Sequence, residues 1–408
     1  MKNCLVGQSG GPTAAINASL AGTIAGVRLS TNYDIIYGLK HGMEGLFKDD
    51  IVNLTEIFPD EESLIPLIKS PSMYLGSCRY KLPEMDEDEK IYEKVFEYFR
   101  VHEIKAFFYI GGNDSMDTVK KLSEYAKAKN INDVYIIGIP KTIDNDLILT
   151  DHTPGFGSAA KYVAGSIREI EIDNSIYAVK SVNIAEIMGR DAGWLTASSV
   201  LAREDKDSAP HLIYLPEVPF SKEKFIEDVK RQLEIRDHVV VAVSEGIRDE
   251  NGAYISVDPD KKDAFGHEIL AGAGKNLADL VSEKIGVKTR FIEFNILQRA
   301  ASHMASEVDL KEAYKQGRNA VSLSEMFRTG IMVNITRKDT EDGSYEVEYG
   351  AVPVCDIANK VKNVPLEWIT EDGCDVTEEL IEYVKPLVKG EVETIYKDGL
   401  PVYLKPLP

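Results

Sequence analysis

The sequence predicts an α/β protein built from two Rossmann-like three-layer domains whose sheets are mostly parallel. The length of 408 residues suggests two or three domains, at about 100–200 residues per domain. Short runs of β-branched and apolar residues alternate with longer amphipathic segments, which is typical of parallel sheets covered by helices. The alternation occurs twice along the chain, so we expect two such units.

The periodicity places the elements of each unit. In the first unit it predicts strands at residues 3–6, 104–110 and 134–139, and helices at residues 13–27 and 116–129. In the second unit it predicts strands at residues 177–187, 212–215 and 239–244, and helices at residues 192–203 and 222–236. Residues 84–90 are highly charged and predict a solvated loop or the start of a helix. Residues 390–408 predict an extended tail, because prolines stand at positions 401, 406 and 408.

The composition narrows the class of protein. Hydrophobic residues make up 44% of the chain, enough to form cores, and the formal net charge is −20. Such a charge argues against nucleic-acid binding, which depends on clustered Lys and Arg. The negative net charge does not argue against binding of a phosphorylated metabolite, because a local group of cations or backbone amides can hold an anion.

The cysteines, the apolar runs and the N-terminal segment indicate where in the cell the protein is expected. The four cysteines are widely spaced and form no CxxC pair, so they predict neither a disulfide framework nor a zinc site. No apolar run approaches the roughly 20 residues of a membrane helix. The first strand turns into a glycine loop too early for a secretory signal. We therefore expect a soluble cytoplasmic protein.

Two glycine-rich loops follow predicted strands and precede predicted helices. Residues 7–13 read GQSGGPT and residues 111–115 read GGNDS. Glycines let backbone amides approach a ligand, and a helix N-terminus favours an anion. Either loop could instead be a tight turn, with Ser115 serving only as a helix N-cap. Because both follow strands of one predicted sheet, together they indicate a shared polyphosphate site.

An acidic loop ends the next strand. Residues 140–146 read PKTIDND and gather Lys141, Thr142 and two carboxylates. Such carboxylates are costly to bring together unless they meet a cation or a substrate proton. Mg²⁺ prefers carboxylates and phosphate oxygens, and phosphoryl transfer needs a carboxylate to accept the attacking hydroxyl's proton. The alternative is an acidic turn without a ligand.

The segment MGRDAGW, residues 188–194, opens the second unit. Gly189 permits close backbone approach, and Arg190 can donate two parallel hydrogen bonds to a phosphate. The alternative is a capped turn in which Arg190 pairs with Asp191.

Taken together, these segments resemble the phosphofructokinases. The family's order is followed by QSGGPTAAIN (8–17), GSCR (76–79), GGNDS (111–115), PKTIDND (140–146), PGFGSAAK (154–161), EIMGRDAGW (186–194), SEG (244–246) and QRAASH (298–303). The matches span roughly three quarters of the chain, and TIDND and MGR at this spacing are highly specific together. The last hundred residues carry no motif that indicates a function.

The resemblance implies a phosphotransferase of glycolysis with its active site in the cleft between the two domains. Asp144 would be the base that takes the proton of the sugar's 1-hydroxyl, Thr142 would position the transferred phosphoryl group, and Arg190 would lie near the developing charge. Fructose 6-phosphate would contact Thr142, Ile143, Asp144, Met188, Gly189, Arg190, Glu245 and Arg299. The phosphoryl donor would contact Gly11, Arg79, Gly112, Asp114, Ser115 and Lys141.

The resemblance also implies a metal and a partner subunit. Mg²⁺ would be held by Asp146 and Asn113, although Asn113 stands where most members have Asp, and an amide oxygen is a weaker ligand than a carboxylate. Arg299 would reach the sugar's 6-phosphate across a subunit interface, which predicts a homodimer or homotetramer. Ile296 stands where many members have His or Tyr, and it offers no polar contact to the sugar.

Two positions bear on the donor. Members that use ATP typically carry glycine where this chain has Asp114 and Lys141, whereas members that use pyrophosphate carry Asp and Lys. A carboxylate at position 114 would crowd and repel ATP, and Lys141 would attract a compact, highly charged anion. The resemblance therefore implies pyrophosphate as the donor and a readily reversible reaction.

Two domains are expected, each formed by two segments of the chain. The larger, donor-binding domain is expected at residues 1–150 and about 300–365, and the smaller, sugar-phosphate-binding domain at residues 151–299 and about 366–408. The nearest alternative is an ATP-dependent phosphofructokinase. A non-catalytic sugar-phosphate-binding protein would not need the TIDND carboxylates, and a lipid or nucleotide kinase would lack the PKTIDND and MGR pair.

Overall fold

The structure of the chain is a computed structural model that describes residues 2–255, 257–262, 268–270 and 272–407. The strands of these residues, in chain order, are β1 (Asn3–Gln8), β2 (Ile35–Leu39), β3 (Ile51–Asn53), β4 (Ile104–Gly111), β5 (Tyr135–Pro140), β6 (Ser181–Ile187), β7 (Leu212–Tyr214), β8 (His238–Ser244), β9 (Val257–Lys262), β10 (Glu268–Leu270), β11 (Lys288–Glu293), β12 (Ile331–Arg337), β13 (Val347–Pro353), β14 (Tyr396–Lys397) and β15 (Leu400–Pro401).

The α-helices of the same residues surround these strands. They are α1 (Ile16–Leu29), α2 (Gly42–Lys48), α3 (Leu54–Ile57), α4 (Glu61–Ile68), α5 (Glu89–Val101), α6 (Asn113–Ala128), α7 (Phe156–Ser175), α8 (Trp194–Ala197), α9 (Lys222–Ile235), α10 (Ala273–Ile285), α11 (Leu297–Ala300), α12 (Glu307–Glu325) and α13 (Glu378–Val384). Short 3₁₀ helices lie at Ser198–Ala202, Ser302–Met304, Val354–Asp356 and Leu366–Trp368. None of the helices described is long and apolar enough to cross a membrane.

Two sheets confirm the predicted α/β class. The larger sheet has the order β13-β12-β5-β4-β1-β2-β3, and its inner strands run parallel while β3 and β13 pair antiparallel at the edges. The smaller sheet has the order β11-β6-β8-β7 and is parallel throughout. The second sheet thus draws on residues 181–293, while the first uses residues 3–140 and 331–353.

Each sheet is covered by helices on both faces. Along β1, Cys4 and Val6 belong to one core cluster while Leu5 belongs to another, because successive side chains of a strand point to opposite faces. Along β8, Val239 and Val241 face one cluster and Val240 faces another. Both domains therefore have three layers, as the periodicity predicts.

Helices α1 and α12 join distant parts of the chain on the larger sheet. A Cβ built on Gly22 of α1 would lie 1.9 Å from the carbonyl oxygen of Tyr314 in α12. Only glycine allows the two backbones to come this close. This contact fixes residues 307–325 against the first unit.

The C-terminal segment contacts both cores. Leu380 and Val384 of α13 pack in the cluster that contains Leu195, whereas Leu404 and Leu407 pack beside the first sheet. The Leu407 N–H also donates to the carbonyl oxygen of Tyr74 at 2.9 Å. The predicted domain boundaries stay a prediction, but the last few residues end on the larger sheet.

Two predicted elements are wrong in part. The helix expected at residues 192–203 is one α-helical turn followed by a 3₁₀ helix. The Ser198 hydroxyl donates to the carbonyl oxygen of Leu195 at 2.6 Å, and such a bond competes with the helical ladder. The strand expected from residue 177 begins at Ser181, because the apolar side chains of Tyr177 and Val179 are exposed and do not join the core.

Candidate active site

One cleft of about 440 Å³ collects almost every residue that the sequence singled out. It is lined by Gly10, Gly11, Pro12, Thr13, Arg79, Gly112, Asn113, Asp114, Ser115, Lys141, Thr142, Ile143, Asp144, Asp146, Met188, Arg190, Asp191, Glu245 and Arg299. Gly189 lies between two of these residues, and its N–H donates to Oε1 of Glu245 at 3.3 Å.

The sheets explain why these residues meet. The loops at residues 10–13, 112–115 and 141–146 follow β1, β4 and β5 of the larger sheet, whereas residues 188–191 and Glu245 follow β6 and β8 of the smaller one. The carboxyl ends of both sheets therefore face a single cleft, which is where open α/β sheets bind ligands.

The first glycine loop is held from beneath by Lys141. Gly10 has a φ of +81°, a conformation that favours glycine. The Lys141 ammonium donates to the carbonyl oxygens of Ser9 at 3.2 Å and Gly11 at 2.5 Å. Burial lowers the pKa of Lys141 to about 8, and the charges of Asp144 and Asp146 oppose that effect. Lys141 thus shapes the loop as well as adding positive charge to the cleft.

The second glycine loop opens helix α6 at the cleft. The Ser115 hydroxyl is buried and lies 2.9 Å from that of Ser9, which ties the two loops together. The Asp114 side chain is exposed at the cleft. The loop therefore presents a helix N-terminus to an anion while Asp114 restricts the space beside it.

The hydrogen bonds of Asn113 do not fit the metal-binding role that the resemblance implies. Its side-chain N–H donates to the carbonyl oxygen of Lys360 at 2.9 Å, and its oxygen accepts the backbone N–H of Asn359 at 3.2 Å. Both ends of the amide are thus engaged by residues 359–360. This geometry favours an anchoring role for Asn113 and leaves Asp146 as the metal candidate.

The TIDND turn points two carboxylates into the cleft. The Asp144 N–H donates to Oγ1 of Thr142 at 3.1 Å, and Asn145 has a φ of +53°. Burial raises the pKa of Asp144, while the Thr142 hydroxyl and the Lys141 charge lower it in part. Burial and then the neighbouring charge of Asp144 raise the pKa of Asp146 to about 7.

The smaller sheet contributes the other wall of the cleft. The Ser244 hydroxyl donates to the carbonyl oxygen of Gly189 at 2.5 Å, and the Met188 N–H donates to Oε1 of Gln298 at 3.3 Å. Burial raises the pKa of Glu245 to about 7, a shift that its hydrogen bond from Gly189 opposes. This wall thus combines the half-buried acid Glu245 with the arginine at position 190.

Arg299 lies in the cleft of its own chain. A Cβ on Gly11 would be 3.3 Å from its guanidinium, and the charges of Asp144 and Glu245 act on it. The resemblance implies that this arginine reaches the sugar phosphate of a neighbouring subunit, whereas in the structure it lines the cleft of its own chain. The homodimer or homotetramer stays a prediction.

Four cleft residues were not assigned a role from the sequence: Gly10, Pro12, Thr13 and Asp191. The Thr13 hydroxyl accepts the N–H groups of Ala15 and Ile16 where α1 begins, and a threonine just before a helix is a recognisable source of such a bond. Asp191 was considered only as a partner of Arg190, yet it accepts a hydrogen bond from Arg248 at 2.7 Å. No spacing in the sequence predicts the pairing of Asp191 with Arg248.

The cleft can accommodate a divalent cation together with phosphate. The described residues hold no group of three or more His, Cys, Asp or Glu placed to bind a metal, but Mg²⁺ commonly uses one or two carboxylates and the oxygens of a phosphate. The raised pKa of Asp146 beside Asp144 means that a nearby cation would stabilise both charges.

Comparisons with known proteins agree with the motifs. The family model described as Phosphofructokinase matches residues 3–324. The chain is 37% identical over 406 residues to the pyrophosphate–fructose 6-phosphate 1-phosphotransferase of Methylococcus capsulatus, covering 99% of this chain and 95% of the relative. It is 40% identical over 401 residues to the protein of the same name from Rhodospirillum rubrum, covering 96% of each. A crystal structure of a pyrophosphate-dependent phosphofructokinase from Marinobacter aquaeolei superposes with a TM-score of 0.87 at 35% identity, covering 99% of this chain and 95% of that one.

Proposed function

The chain belongs to the phosphofructokinase family, and from that premise we propose that it transfers a phosphoryl group from pyrophosphate to fructose 6-phosphate. The products are fructose 1,6-bisphosphate and inorganic phosphate, as in a step of glycolysis, and the reaction runs in both directions. One observation carries the proposal: the Asp144 carboxylate lies in the same cleft as the glycine loops and the donor-selecting pair Asp114 and Lys141.

Asp144 has the position and environment of a general base. Its carboxylate is directed into the cleft by the Thr142 cap, and its raised pKa makes it a better proton acceptor than an ordinary aspartate. We propose that it takes the proton of the sugar's 1-hydroxyl. The hydroxyl oxygen then forms a bond to one phosphorus of pyrophosphate while the bridging P–O bond breaks and phosphate leaves.

The cations of the cleft are divided between the two substrates. Arg79 and Lys141 border the glycine loops, so we assign them to pyrophosphate, together with the N–H groups of Gly11, Gly112 and Ser115. Arg190 and Arg299 are assigned to fructose 6-phosphate, with Arg190 also near the charge that develops during transfer. Met188, Gly189, Ile143 and Glu245 would complete the sugar pocket.

The reaction also needs a cation to offset the charge of pyrophosphate. When bound, Mg²⁺ would supply this positive charge. Asp146 is the residue of this chain that would hold it, because its half-buried carboxylate faces the cleft beside Asp144. Asn113 is left out of this assignment, since residues 359–360 already engage both ends of its amide.

The choice of pyrophosphate over ATP follows from the same loops. Asp114 adds negative charge and bulk beside the α6 N-terminus, where the inner phosphates and nucleoside of ATP would extend. Lys141 is buried beneath the first glycine loop, where it favours a compact anion over an extended one. A homodimer or homotetramer and a cytoplasmic location remain predictions from the sequence.

A steady-state assay with each donor tests the proposed function. Purified protein would be given fructose 6-phosphate and Mg²⁺ with either pyrophosphate or ATP, and fructose 1,6-bisphosphate would be detected through coupled aldolase. We expect kcat/KM for pyrophosphate to exceed that for ATP by about 10²-fold or more, the scale of two lost or added local contacts. A protein that prefers ATP would be an ATP-dependent phosphofructokinase, and one that binds the sugar phosphate without turnover would be a binding protein.

A further inference from the structure

The last hundred residues, which carry no functional motif, place one lysine beneath the catalytic turn. The Lys362 ammonium donates to the carbonyl oxygens of Asp151 at 2.6 Å and Thr150 at 3.4 Å, and to Oδ1 of Asn145 at 3.4 Å. The Lys362 backbone N–H donates to the carbonyl oxygen of Asp146 at 2.7 Å. This lysine does not line the cleft, yet it contacts the TIDND turn from behind.

A tyrosine of helix α13 joins the same contact. The Tyr383 hydroxyl accepts an N–H of the Asn145 side chain at 2.9 Å and donates to the carbonyl oxygen of Asp151 at 2.6 Å. The ring of Tyr383 and the ring of Trp194 flank the Lys362 ammonium at 5.9 Å and 5.0 Å. Cation–π attraction of this kind fixes the ammonium in place.

Asn145 is the point on which these contacts converge. It is fully buried, its φ of +53° reverses the chain, and its side chain also accepts the N–H of Thr153 at 3.1 Å. Because Asn145 stands between Asp144 and Asp146, its orientation decides where both carboxylates point. A rotation of Asn145 would move the base away from the cleft.

We propose that Lys362 and Tyr383 are positioning residues that hold Asn145, and through it the carboxylate of Asp144, in line with the sugar hydroxyl. The proposal rests on the proposed function, because it assumes that Asp144 acts on a substrate hydroxyl. It assigns a role to the C-terminal segment that the motifs left without one.

This role predicts a particular kinetic signature. Neither residue lines the cleft, so the substrates should bind normally when one is altered. A base displaced by as little as about 1 Å can slow the chemical step by about 10²-fold. The loss should therefore appear in kcat, and equally in kcat/KM, while KM is kept.

The experiment compares three variants with the wild-type protein. Lys362→Met removes the ammonium at similar length, Tyr383→Phe removes one hydroxyl, and Lys385→Met makes the same change as the first at an exposed position of the neighbouring segment. We expect kcat to fall about 10²-fold for Lys362→Met and about 10-fold for Tyr383→Phe. Both KM values should stay within about twofold, and Lys385→Met should match the wild type.

Two results would overturn the proposal: a folded Lys362→Met or Tyr383→Phe variant whose kcat is within about twofold of wild type, or a rise of KM with kcat unchanged. If Lys362→Met does not fold, as judged by circular dichroism, Tyr383→Phe decides by the same criterion. The wild-type rate with pyrophosphate tests the proposed function separately, since the ratio of variant to wild type can be taken with whichever donor is used.

Discussion

At the scale of single residues, burial tunes the groups of the cleft toward neutral pH. Burial raises the pKa of Asp146 and Glu245 to about 7 and lowers that of Lys141 to about 8. Catalytic acids and bases work best when their pKa lies near the working pH. The same residues in an exposed loop would be fully ionised near neutral pH. The shifted pKa values therefore depend on the fold as well as on the motif.

The proposed general base, Asp144, is the most direct target for a test of the chemical step. We predict that Asp144→Asn lowers kcat by about 10²–10⁴-fold, the usual loss when a general base is removed. Because the amide keeps the size of the carboxylate, binding of fructose 6-phosphate should survive, and isothermal titration calorimetry can measure it. Near-normal turnover of Asp144→Asn would show that another group takes the proton.

Asp191 is expected to shift the pH range of activity. Burial is the main cause of the raised pKa of Asp144 and Asp146, and the negative charge of Asp191 adds to it. Removing that charge in Asp191→Asn lowers the pKa of Asp144, so the base loses its proton at lower pH. The acid limb of the kcat/KM profile should therefore move to lower pH, whereas the exposed Asp398→Asn, with the same change of charge, should leave it in place. A limb that moves upward, or moves equally in both variants, would argue against Asp144 as the titrating group.

At the scale of elements, the sequence predicts the strand-end loops well and the supporting layer poorly. The loops at residues 111–115 and 140–146 carry glycines and carboxylates whose chemistry is recognisable without tertiary contacts. The anchoring of Asn113 by residues 359–360 and the pair of Asp191 with Arg248 join distant parts of the chain. No local pattern marks such contacts, so the resemblance assigned Asn113 to a metal and the sequence suggested Asp191 only as a partner of Arg190.

The loops at residues 111–115 and 140–146, to which donor selection is assigned, act as one element. Lys141 follows β5 directly beside Gly112 at the end of β4. We predict that Asp114→Gly gains some use of ATP. Lys141→Gly should weaken use of pyrophosphate, because it removes a charge and frees the carbonyl oxygens of Ser9 and Gly11. The double variant should lose more pyrophosphate use than the two single changes together, because contacting sites are not additive. Steady-state assays with both donors measure this, and an unchanged donor preference in the double variant would place the selectivity elsewhere.

A buried histidine links the loop after TIDND to helix α12. His152 lies 2.8 Å from Asp151 and 2.6 Å from Glu312. Burial alone would lower its pKa, but Glu312 and Asp151 outweigh burial and raise it to about 9, above the ordinary value of 6.5. The protonated form thus stabilises the fold below about pH 6.5, and this contribution is lost as pH rises through about 9.

We therefore predict that the free energy of unfolding of the wild type falls between pH 6.5 and 9 by more than that of His152→Gln. The difference should be on the order of 3 kcal/mol. Urea denaturation at several pH values measures it, and equal pH dependence in the two proteins would mean that His152 is neutral in the folded state.

At the scale of the whole molecule, two parallel sheets present their carboxyl ends to one cleft. The chain is acidic, with a formal net charge of −20, yet the cleft gathers four cations, Arg79, Lys141, Arg190 and Arg299, beside its carboxylates. Attraction of anionic substrates is therefore local and does not depend on the overall charge. The segment from Asn359 to Tyr383 connects both halves behind the cleft, which is how residues without a motif come to support the site.

The central claim, that pyrophosphate is the donor for fructose 6-phosphate, is tested most directly by offering both donors at once. Protein, Mg²⁺ and fructose 6-phosphate would be mixed with equimolar pyrophosphate and ATP and followed by ³¹P NMR. We predict that the pyrophosphate signal falls toward its equilibrium level while phosphate and fructose 1,6-bisphosphate appear in equal amounts and ATP stays intact. Consumption of ATP with the appearance of ADP, while pyrophosphate remains, would contradict the claim.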